Sequence, residues 1–379
     1  MQTLRRLFLA LFAVAVVVVL AHQYQIRIRR QMVDFEVYRT AAIRVLAAEP
    51  LYRPSDGHYQ LKYLPAFAIA MTPFAWLSAG VAKFAWFALS VLWLLWLVGG
   101  SVIALPDRRL TPTALALVTI LLMAKFYGHE LTLGQANALL GALLVTALLA
   151  LVRGRVAVAA VLIGLAVFVK PYAIVVWPWL AVTRGTRAAA IAAAAIAVGL
   201  LAPAAVYGWH GNLDQIAAWW HTVTVSTEPN LLDTDNTSLA AMFAKWLGAG
   251  ATATVLTALA SIAIVAVVTA IVSSRRAVAQ PLFLEFAAIL VAIPLLSPQG
   301  WDYVLLLGTP AVACLVDRWR DFGAGWRAGV VAALVTMGLT TFDLMGRAAY
   351  GAFMRFSGIT IAALVVLAAL AELRRRRLA

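Results

Sequence analysis

The chain has 379 residues, of which 64% are hydrophobic and 12% charged, and its mean hydropathy is +0.92. A soluble domain carries roughly a quarter charged residues, so this composition excludes a water-soluble globule and indicates an integral membrane protein. The net charge of +14 therefore bears on membrane orientation rather than on nucleic acid. The one cysteine, Cys314, excludes an intramolecular disulfide.

Apolar runs recur along the whole chain. Arg5 and Arg6 precede the first, residues 7–21, which we interpret as an uncleaved signal anchor because more runs follow. Eleven further candidate spans lie near residues 81–104, 112–127, 136–151, 156–170, 171–183, 188–206, 252–272, 281–296, 301–316, 328–345 and 357–373. Residues 61–78 contain two prolines, so we predict a partial or interfacial helix there. The fold predicted is an all-α polytopic transmembrane helical bundle of about twelve spans, in one domain over residues 1–379.

Arginine pairs in the turns set the predicted orientation. With the N-terminus inside, the inward-facing segments hold 17 basic and four acidic residues, which is +13 of the net charge. Because Lys and Arg concentrate in cytoplasmic loops, both termini are predicted to be cytoplasmic. Two long outer loops follow, residues 22–63 and 207–250, and all five histidines fall on that side.

The first outer loop begins with a helical pattern. Apolar residues recur at near-helical spacing at positions 33, 37, 41, 45 and 48, which predicts a short helix along the membrane surface. Asp34 opens this helix and Glu36 follows on another face. The Asp34 carboxylate is either a general base for a sugar hydroxyl or a charge that favours the helix dipole.

The same loop carries seven basic residues on the side where they are disfavoured: Arg27, Arg29, Arg30, Arg39, Arg44, Arg53 and Lys62. Attraction to anionic headgroups explains them, and so does a site for a phosphate-bearing lipid, because Arg and Lys both bind phosphate. Tyr52, Tyr59 and Tyr63 add rings suited to the membrane interface or to stacking on a sugar.

Four outer patches are polar at unusual depth: His129-Glu130 with Gly134-Gln135-Ala136-Asn137, Lys170-Pro171-Tyr172, Asp235-Asn236-Thr237-Ser238-Leu239, and Ser297 to Tyr303. Each has a structural explanation, respectively packing between helices, snorkelling, helix capping and a polar turn. Each is also a functional candidate, because polar groups in membrane segments need partners. No phosphate-binding Gly-rich motif, paired His ligands or clustered Cys supports a cytoplasmic enzyme or a metal site.

The order of these patches resembles glycosyltransferase family 87, the bacterial polyprenyl-phosphate-mannose-dependent mannosyltransferases of the GT-C superfamily. The ordered set, over roughly residues 1–320, carries the resemblance. Its members are Asp34-Phe35 with Tyr38, Tyr63-Leu64-Pro65, Gly134-Gln135-Ala136-Asn137, Lys170-Pro171, Asn236-Thr237-Ser238-Leu239 and Ser297-Pro298-Gln299-Gly300-Trp301. The chain departs from the family at Asp302, where many members have His after the Trp.

The resemblance implies a bundle of GT-C type in the bacterial cytoplasmic membrane, with its active site on the outer side. It implies transfer of a sugar, by default mannose, from a polyprenyl-phosphate donor to a glycolipid or glycan acceptor, with inversion and no cofactor. Asp34 becomes the catalytic base. The residues expected to bind substrate are Glu36, Tyr38, Lys62, Tyr63, His129, Gln135, Asn137, Lys170, Tyr172, Asn236, Ser238, Trp301 and Asp302; Lys62 and Lys170 are chosen on chemistry rather than on a mapped motif.

A second class of function, a transporter or flippase for a lipid-linked substrate, stays open. Such a protein carries ionisable groups along a path through the midplane, often in repeated halves. Here those groups gather at one rim and no halves are visible, which favours the glycosyltransferase. A scaffold for an envelope complex gives no reason for the carboxylate beside a basic loop.

Overall fold

A computed structural model describes residue 14, residues 16–227 and residues 229–377. Within this part of the chain the secondary structure is helical, and its one approach to a strand is a single antiparallel bridge between Asn236 and Trp301. The all-α prediction is confirmed. The predicted first span, residues 7–21, lies mostly outside the described residues.

Sixteen helices are named here in chain order. The first half of the chain forms α1 (Val33–Leu46), α2 (Pro65–Ala70), α3 (Ala79–Ala104), α4 (Pro112–Leu133), α5 (Asn137–Val152), α6 (Val156–Val169), α7 (Val176–Arg184) and α8 (Thr186–Leu201). The second half forms α9 (Ala204–Val225), α10 (Leu239–Leu247), α11 (Ala251–Ser273), α12 (Leu282–Leu296), α13 (Thr309–Arg318), α14 (Ala324–Leu339), α15 (Arg347–Arg355) and α16 (Gly358–Arg375). Three 3₁₀ segments matter below: Pro54–Tyr59, Pro171–Val175 and Asp302–Gly308.

Local signals explain where these helices begin and end. Thr111 caps α4 by accepting a hydrogen bond from the Ala114 N–H, and Ser238 caps α10 in the same way. Lys170 adopts an extended conformation before Pro171, because the residue before a proline is disfavoured in the helical region. The helix α6 therefore stops there, at the break expected from the sequence.

The number of spans is only partly settled by helix length. Among the described residues, three helical stretches are long and apolar enough to cross a membrane: Ala79–Ala104, Pro112–Leu133 and Ala251–Ala277. Two bent pairs, α8 with α9 and α15 with α16, raise this number to five if each pair is one span. Four shorter apolar helices of 14–16 residues reach about 21–24 Å at 1.5 Å per residue, less than the ~30 Å hydrocarbon core. The structure therefore contains helices able to cross a membrane, and the number of about twelve spans stays a prediction.

Residues 61–78 contain only α2 and a one-turn helix, Thr72–Ala75, in agreement with a partial or interfacial helix. Helix α1 also forms where the periodicity predicts it. It buries Phe35, Tyr38 and Ala41 against the bundle. Asp34 is thereby held at the start of a packed helix.

The helices pack as neighbours around a shared core. Along one side α3 contacts α5, α5 contacts α6, and α6 contacts α8; on the other, α4 contacts α14, α14 contacts α16, and α16 contacts α12. Small residues allow the close approaches: a Cβ on Gly164 would lie 2.8 Å from the Ala192 carbonyl oxygen of α8. By contrast only 11% of the apolar window of Ala251–Ala277, which contains α11, is buried against the rest of the protein, as expected of a helix that faces lipid.

The arginine-rich turns lie together at one end of the bundle. The Asp317 carboxylate accepts hydrogen bonds from the Arg109 and Leu110 N–H groups, and Arg318 donates to the Pro106 carbonyl. The C-terminal segment joins them through Arg376, which donates to the Asp321 carbonyl oxygen. Turns that the sequence assigns to one side of the membrane are therefore neighbours in space.

Candidate active site

A large concave site lies where the first outer loop meets the ends of several helices. It is a cavity of about 640 Å³, within the range of ligand pockets. Its wall contains nine of the fourteen predicted site residues: Asp34, Tyr38, Lys62, Tyr63, His129, Gln135, Lys170, Tyr172 and Trp301. Tyr303, which the prediction did not include, lies beside them. Nine predicted residues thus meet in one cavity although they span positions 34 to 301.

Gln135 is the centre of a buried hydrogen-bond network in this wall. Its Oε1 accepts from the hydroxyls of Tyr38 and Tyr63, each at 3.1 Å, and from Lys170 Nζ at 3.4 Å. Its Nε2 donates to the Tyr303 hydroxyl at 3.3 Å. The network fixes four elements relative to one another, because each partner comes from a different segment of the chain.

Asp34 is the carboxylate of this cavity that the sequence nominates as base. Burial raises its pKa above the usual range of an aspartate, and the Gln135 side chain and the charges of Lys170 and Lys62 oppose that rise. A carboxylate held this way is a stronger base than an exposed one, and the two ammonium groups favour its ionised form. The environment suits proton abstraction from a hydroxyl.

Lys62 and Lys170 supply positive charge to the same space. The Lys170 ammonium lies 4.5 Å from the centre of the Tyr63 ring, a cation–π distance that fixes its direction. Burial lowers the pKa of Lys62, and Asp34 opposes that shift. A phosphate entering the cavity would meet both amines and would also lie in a space lined by the carboxylates of Asp34, Asp233 and Asp235.

His129 contributes a third nitrogen base and is held by a buried carboxylate. Its Nδ1 lies 2.7 Å from Asp302 Oδ1, and Lys125 Nζ lies 3.7 Å from the other oxygen of Asp302. His129 lines the cavity whereas the fully buried Asp302 does not. The pair leaves Nε2 of His129 as the ring nitrogen free for the cavity.

Four residues predicted to bind substrate lie behind the wall instead, because other groups occupy their side chains. Asn137 is fully buried and binds Glu130 Oε2 and the Tyr172 hydroxyl. Asn236 donates to the carbonyl oxygens of Asn230 and Pro298, and Ser238 caps α10. With Asp302, these residues position the wall rather than contact its interior.

The remaining predicted residue, Glu36, faces away from this cavity. Its carboxylate pairs with Lys83 of α3 and lines a separate, smaller pocket on the other flank of α1. The two-residue offset from Asp34 places the two carboxylates about 200° apart around the helix. Direct contact of Glu36 with a substrate in the main cavity is therefore not supported by its position.

Sequence analysis did not predict one wall of the cavity, which is formed by α9. Residues 207–225, expected to be part of a polar loop, form α9, which meets α8 at a bend of 92° and presents Trp219 and Trp220 to the cavity. The Trp219 indole N–H donates to the Lys62 carbonyl oxygen at 3.2 Å. The signal was present as a helical spacing of apolar residues at Trp209, Leu213 and Trp220, all of which are exposed.

Among the described residues, no three His, Cys, Asp or Glu side chains form a group able to hold a metal ion. The cavity is lined by the carboxylates of Asp34, Asp233 and Asp235, two amines, the imidazoles of His58 and His129, and several aromatic rings. Such a set can deprotonate a hydroxyl and stabilise a departing anion.

Comparison with known proteins adds a family. No curated protein and no solved structure matches the chain. A model of glycosyltransferase family 87 matches residues 61–298, which is more than half of the chain and includes Lys62, Gln135 and Lys170. Asp34 and Trp301 lie outside the matched range. On this match the chain belongs to glycosyltransferase family 87 and is a membrane glycosyltransferase.

Proposed function

We propose that the protein transfers a hexose, by family resemblance mannose, from a polyprenyl-phosphate donor to a hydroxyl of a glycolipid or glycan acceptor, with inversion. The observation that carries the proposal is the placement of Asp34, Lys62 and Lys170 around one cavity. A base for the acceptor and cations for the leaving group are the two requirements of this chemistry.

In the reaction, Asp34 takes the proton of the acceptor hydroxyl. The hydroxyl oxygen then forms a bond to the anomeric carbon as the bond from that carbon to the phosphate oxygen breaks. Polyprenyl phosphate leaves with the electron pair, and Lys62, Lys170 and His129 stabilise its negative charge. Attack from the face opposite the leaving phosphate inverts the anomeric centre.

A lipid-borne donor fits the surroundings of the cavity. Helix α9 forms one wall with Trp219 and Trp220, and Trp220 is 62% exposed on the outside of the same wall. Tryptophan is enriched where protein meets the bilayer surface. A prenyl chain lying in the membrane would therefore reach the cavity beside α9 without leaving lipid.

We place this site on the outer side of the cytoplasmic membrane. The support is the arginine-rich end of the bundle, where Arg109, Arg318 and Arg376 meet, together with the tendency of such turns to stay cytoplasmic. Asp34 and the cavity belong to the loops assigned to the other side.

The test is the Asp34→Asn variant, assayed for transfer of ¹⁴C-mannose from polyprenyl-phosphate mannose to the lipids of membranes that contain the protein. We expect a loss of at least a hundredfold, because general-base catalysis contributes roughly 10²–10⁴ in rate. Glu49→Gln is the matched control, since Glu49 is exposed and, among the described residues, its carboxylate forms an ion pair with Arg53 alone.

Both variants are compared with the parent by size-exclusion chromatography in detergent to establish folding. Retention of a tenth or more of the transfer rate in Asp34→Asn would remove Asp34 as the base. A product with the same anomeric configuration as its donor, read by the proton coupling constant in NMR, would contradict inversion.

A further inference from the structure

We propose that the pocket on the other flank of α1 binds the neutral saccharide part of the acceptor; this inference rests on the proposed function and specifies its acceptor side. We call it the side pocket. It has a volume of about 390 Å³ and is lined by Val33, Glu36, Val37, Thr40, Ala41, Arg44, Asp56, Tyr59 and Leu61.

The side pocket adjoins the main cavity, and we call the residues that line both spaces the ridge. Val33, Val37 and Tyr59 line both spaces. Asp34 follows Val33 directly and faces the main cavity. A ligand that fills the side pocket and crosses this ridge therefore arrives at the catalytic carboxylate.

One stripe of α1 supplies the polar groups of the side pocket. Glu36, Thr40 and Arg44 are spaced by four residues, which keeps them on one face of a helix. The opposite face of α1 packs into the bundle through Phe35 and Tyr38. The helix is thus a rigid partition that presents the proposed base on one flank and polar side chains on the other.

The charges of the side pocket are already paired. Arg44 donates two hydrogen bonds to Asp56, at 2.6 and 2.7 Å, and this contact holds the pKa of Asp56 below its usual range. Glu36 pairs with Lys83. The side pocket therefore has no unpaired cation among its lining residues to bind a phosphate, whereas the main cavity is lined by the amines of Lys62 and Lys170.

The hydrogen-bonding groups of the side pocket that remain available suit a neutral ligand rich in hydroxyl groups. Within residues 16–227 and 229–377 the hydroxyls of Thr40 and Tyr59 have no hydrogen-bond partner, and the outer lone pairs of the paired carboxylates remain acceptors. The Tyr59 ring is 55% exposed and offers an apolar face. A sugar ring supplies both hydroxyl groups and an apolar C–H face.

The different lining of the two spaces assigns the donor to one and the acceptor to the other. The donor phosphate occupies the main cavity with its amines, and the acceptor sugar occupies the side pocket with one hydroxyl reaching over Val33 and Val37. That hydroxyl loses its proton to Asp34 and forms the new bond to the anomeric carbon, while polyprenyl phosphate departs.

The test closes the side pocket after the protein has folded. Thr40→Cys is labelled with a bulky membrane-impermeant maleimide, and Ile43→Cys is the control, because Ile43 is 44% exposed on the same helix and lines neither space. Cys314, the native cysteine, is fully buried. Transfer of ¹⁴C-mannose to membrane lipids and binding of polyprenyl phosphate, measured by native mass spectrometry, are followed for both.

We expect labelled Thr40→Cys to lose at least tenfold in transfer and to bind polyprenyl phosphate within twofold of the unlabelled protein, with labelled Ile43→Cys unchanged in both. Undiminished transfer by labelled Thr40→Cys overturns the inference. So does a parallel loss of polyprenyl-phosphate binding, which would assign the pocket to the donor. Absence of transfer by the unmodified parent would instead count against the proposed function, so the two failures are distinguishable.

Discussion

Nδ1 of His129 lies 2.7 Å from Oδ1 of Asp302, a residue 173 positions later that is itself fully buried. His129 comes from α4 and lines the cavity, whereas Asp302 begins the 3₁₀ segment behind it. The carboxylate orients the imidazole and stabilises its protonated form. If His129 contacts the donor phosphate as proposed, Asp302 acts through His129 as a positioning residue.

This relationship predicts non-additive effects of substitution. His129→Gln and Asp302→Asn should each weaken binding of polyprenyl phosphate by roughly tenfold or more, the value of a charged hydrogen bond of 1.5–3 kcal/mol. The double variant should bind no more weakly than His129→Gln alone, because Asp302 has nothing left to position. Affinities from native mass spectrometry in detergent would check this, and two losses that multiply would contradict it.

The rate of transfer should depend on pH in the direction set by Asp34 and Lys62. The base works only when ionised, and burial raises the Asp34 pKa, so the rate should rise with pH through a value above that of an exposed aspartate. Burial lowers the Lys62 pKa, so Lys62 loses its positive charge at a lower pH than an exposed lysine does. The rate should therefore decrease with rising pH, starting at that lower pH.

Steady-state rates between pH 4 and 10 measure both limbs. Lys62→Arg serves as the matched variant, because a guanidinium stays charged throughout this range. It should keep the acid limb and move the alkaline limb upward. A rate that falls with pH through the acid limb would contradict the assignment of Asp34 as base.

Two glycines with similar backbone angles should respond differently to alanine. Gly134 (φ +69°) and Gly154 (φ +73°) both adopt the left-handed conformation, which costs about 1–2 kcal/mol for other residues. At Gly134 a Cβ would also lie 2.9 Å from Cβ of Phe35, whereas none of the described atoms lies within 4 Å at Gly154. Gly134→Ala should therefore displace α1 and with it Asp34.

Thermal unfolding in detergent and the transfer assay distinguish the two variants. Gly134→Ala should lower Tm more than Gly154→Ala and should also reduce transfer, because Phe35 neighbours the base. Equal decreases in Tm with full transfer in both would show that the contact with Phe35 has no consequence for the site.

The orientation predicts which surfaces an impermeant thiol reagent reaches in intact cells. Ser55 is exposed in the first outer loop, and Ala277 is exposed beside the arginine pair Arg275 and Arg276. Ser55→Cys should label from outside, and Ala277→Cys should label only after the membrane is made permeable. The reverse pattern would invert the topology.

Sequence patterns were sufficient where the physical cause is local. The period of apolar residues predicts α1, Pro171 ends α6, and Ser238 caps α10 as its position suggests. Asp34 and Lys170 line the same cavity, as expected from the resemblance that placed both residues at one site.

Long-range contacts explain what the sequence did not reveal. In the sequence, Asn137 and Asn236 are polar residues whose partners are unknown. In the fold their side-chain amides already donate hydrogen bonds to Glu130 and to the Pro298 carbonyl oxygen, respectively. Helix α9 was concealed because its polar residues serve distant partners: Gln215 accepts a hydrogen bond from the Leu51 N–H, 164 residues earlier. Only the folded chain shows which polar side chains are already satisfied.

The attachment of α9 to the first outer loop also bears on biosynthesis. Tyr207, Gln215 and Trp219 bind the backbone at Glu49, Leu51 and Lys62, each more than 150 residues earlier. A nascent chain inserted only as far as α8 has already exposed its carboxylate but lacks the wall that completes the cavity. We therefore expect the cavity to be complete only after residues 204–225 have been synthesised and packed onto the first outer loop, and shorter chains to lack transferase activity.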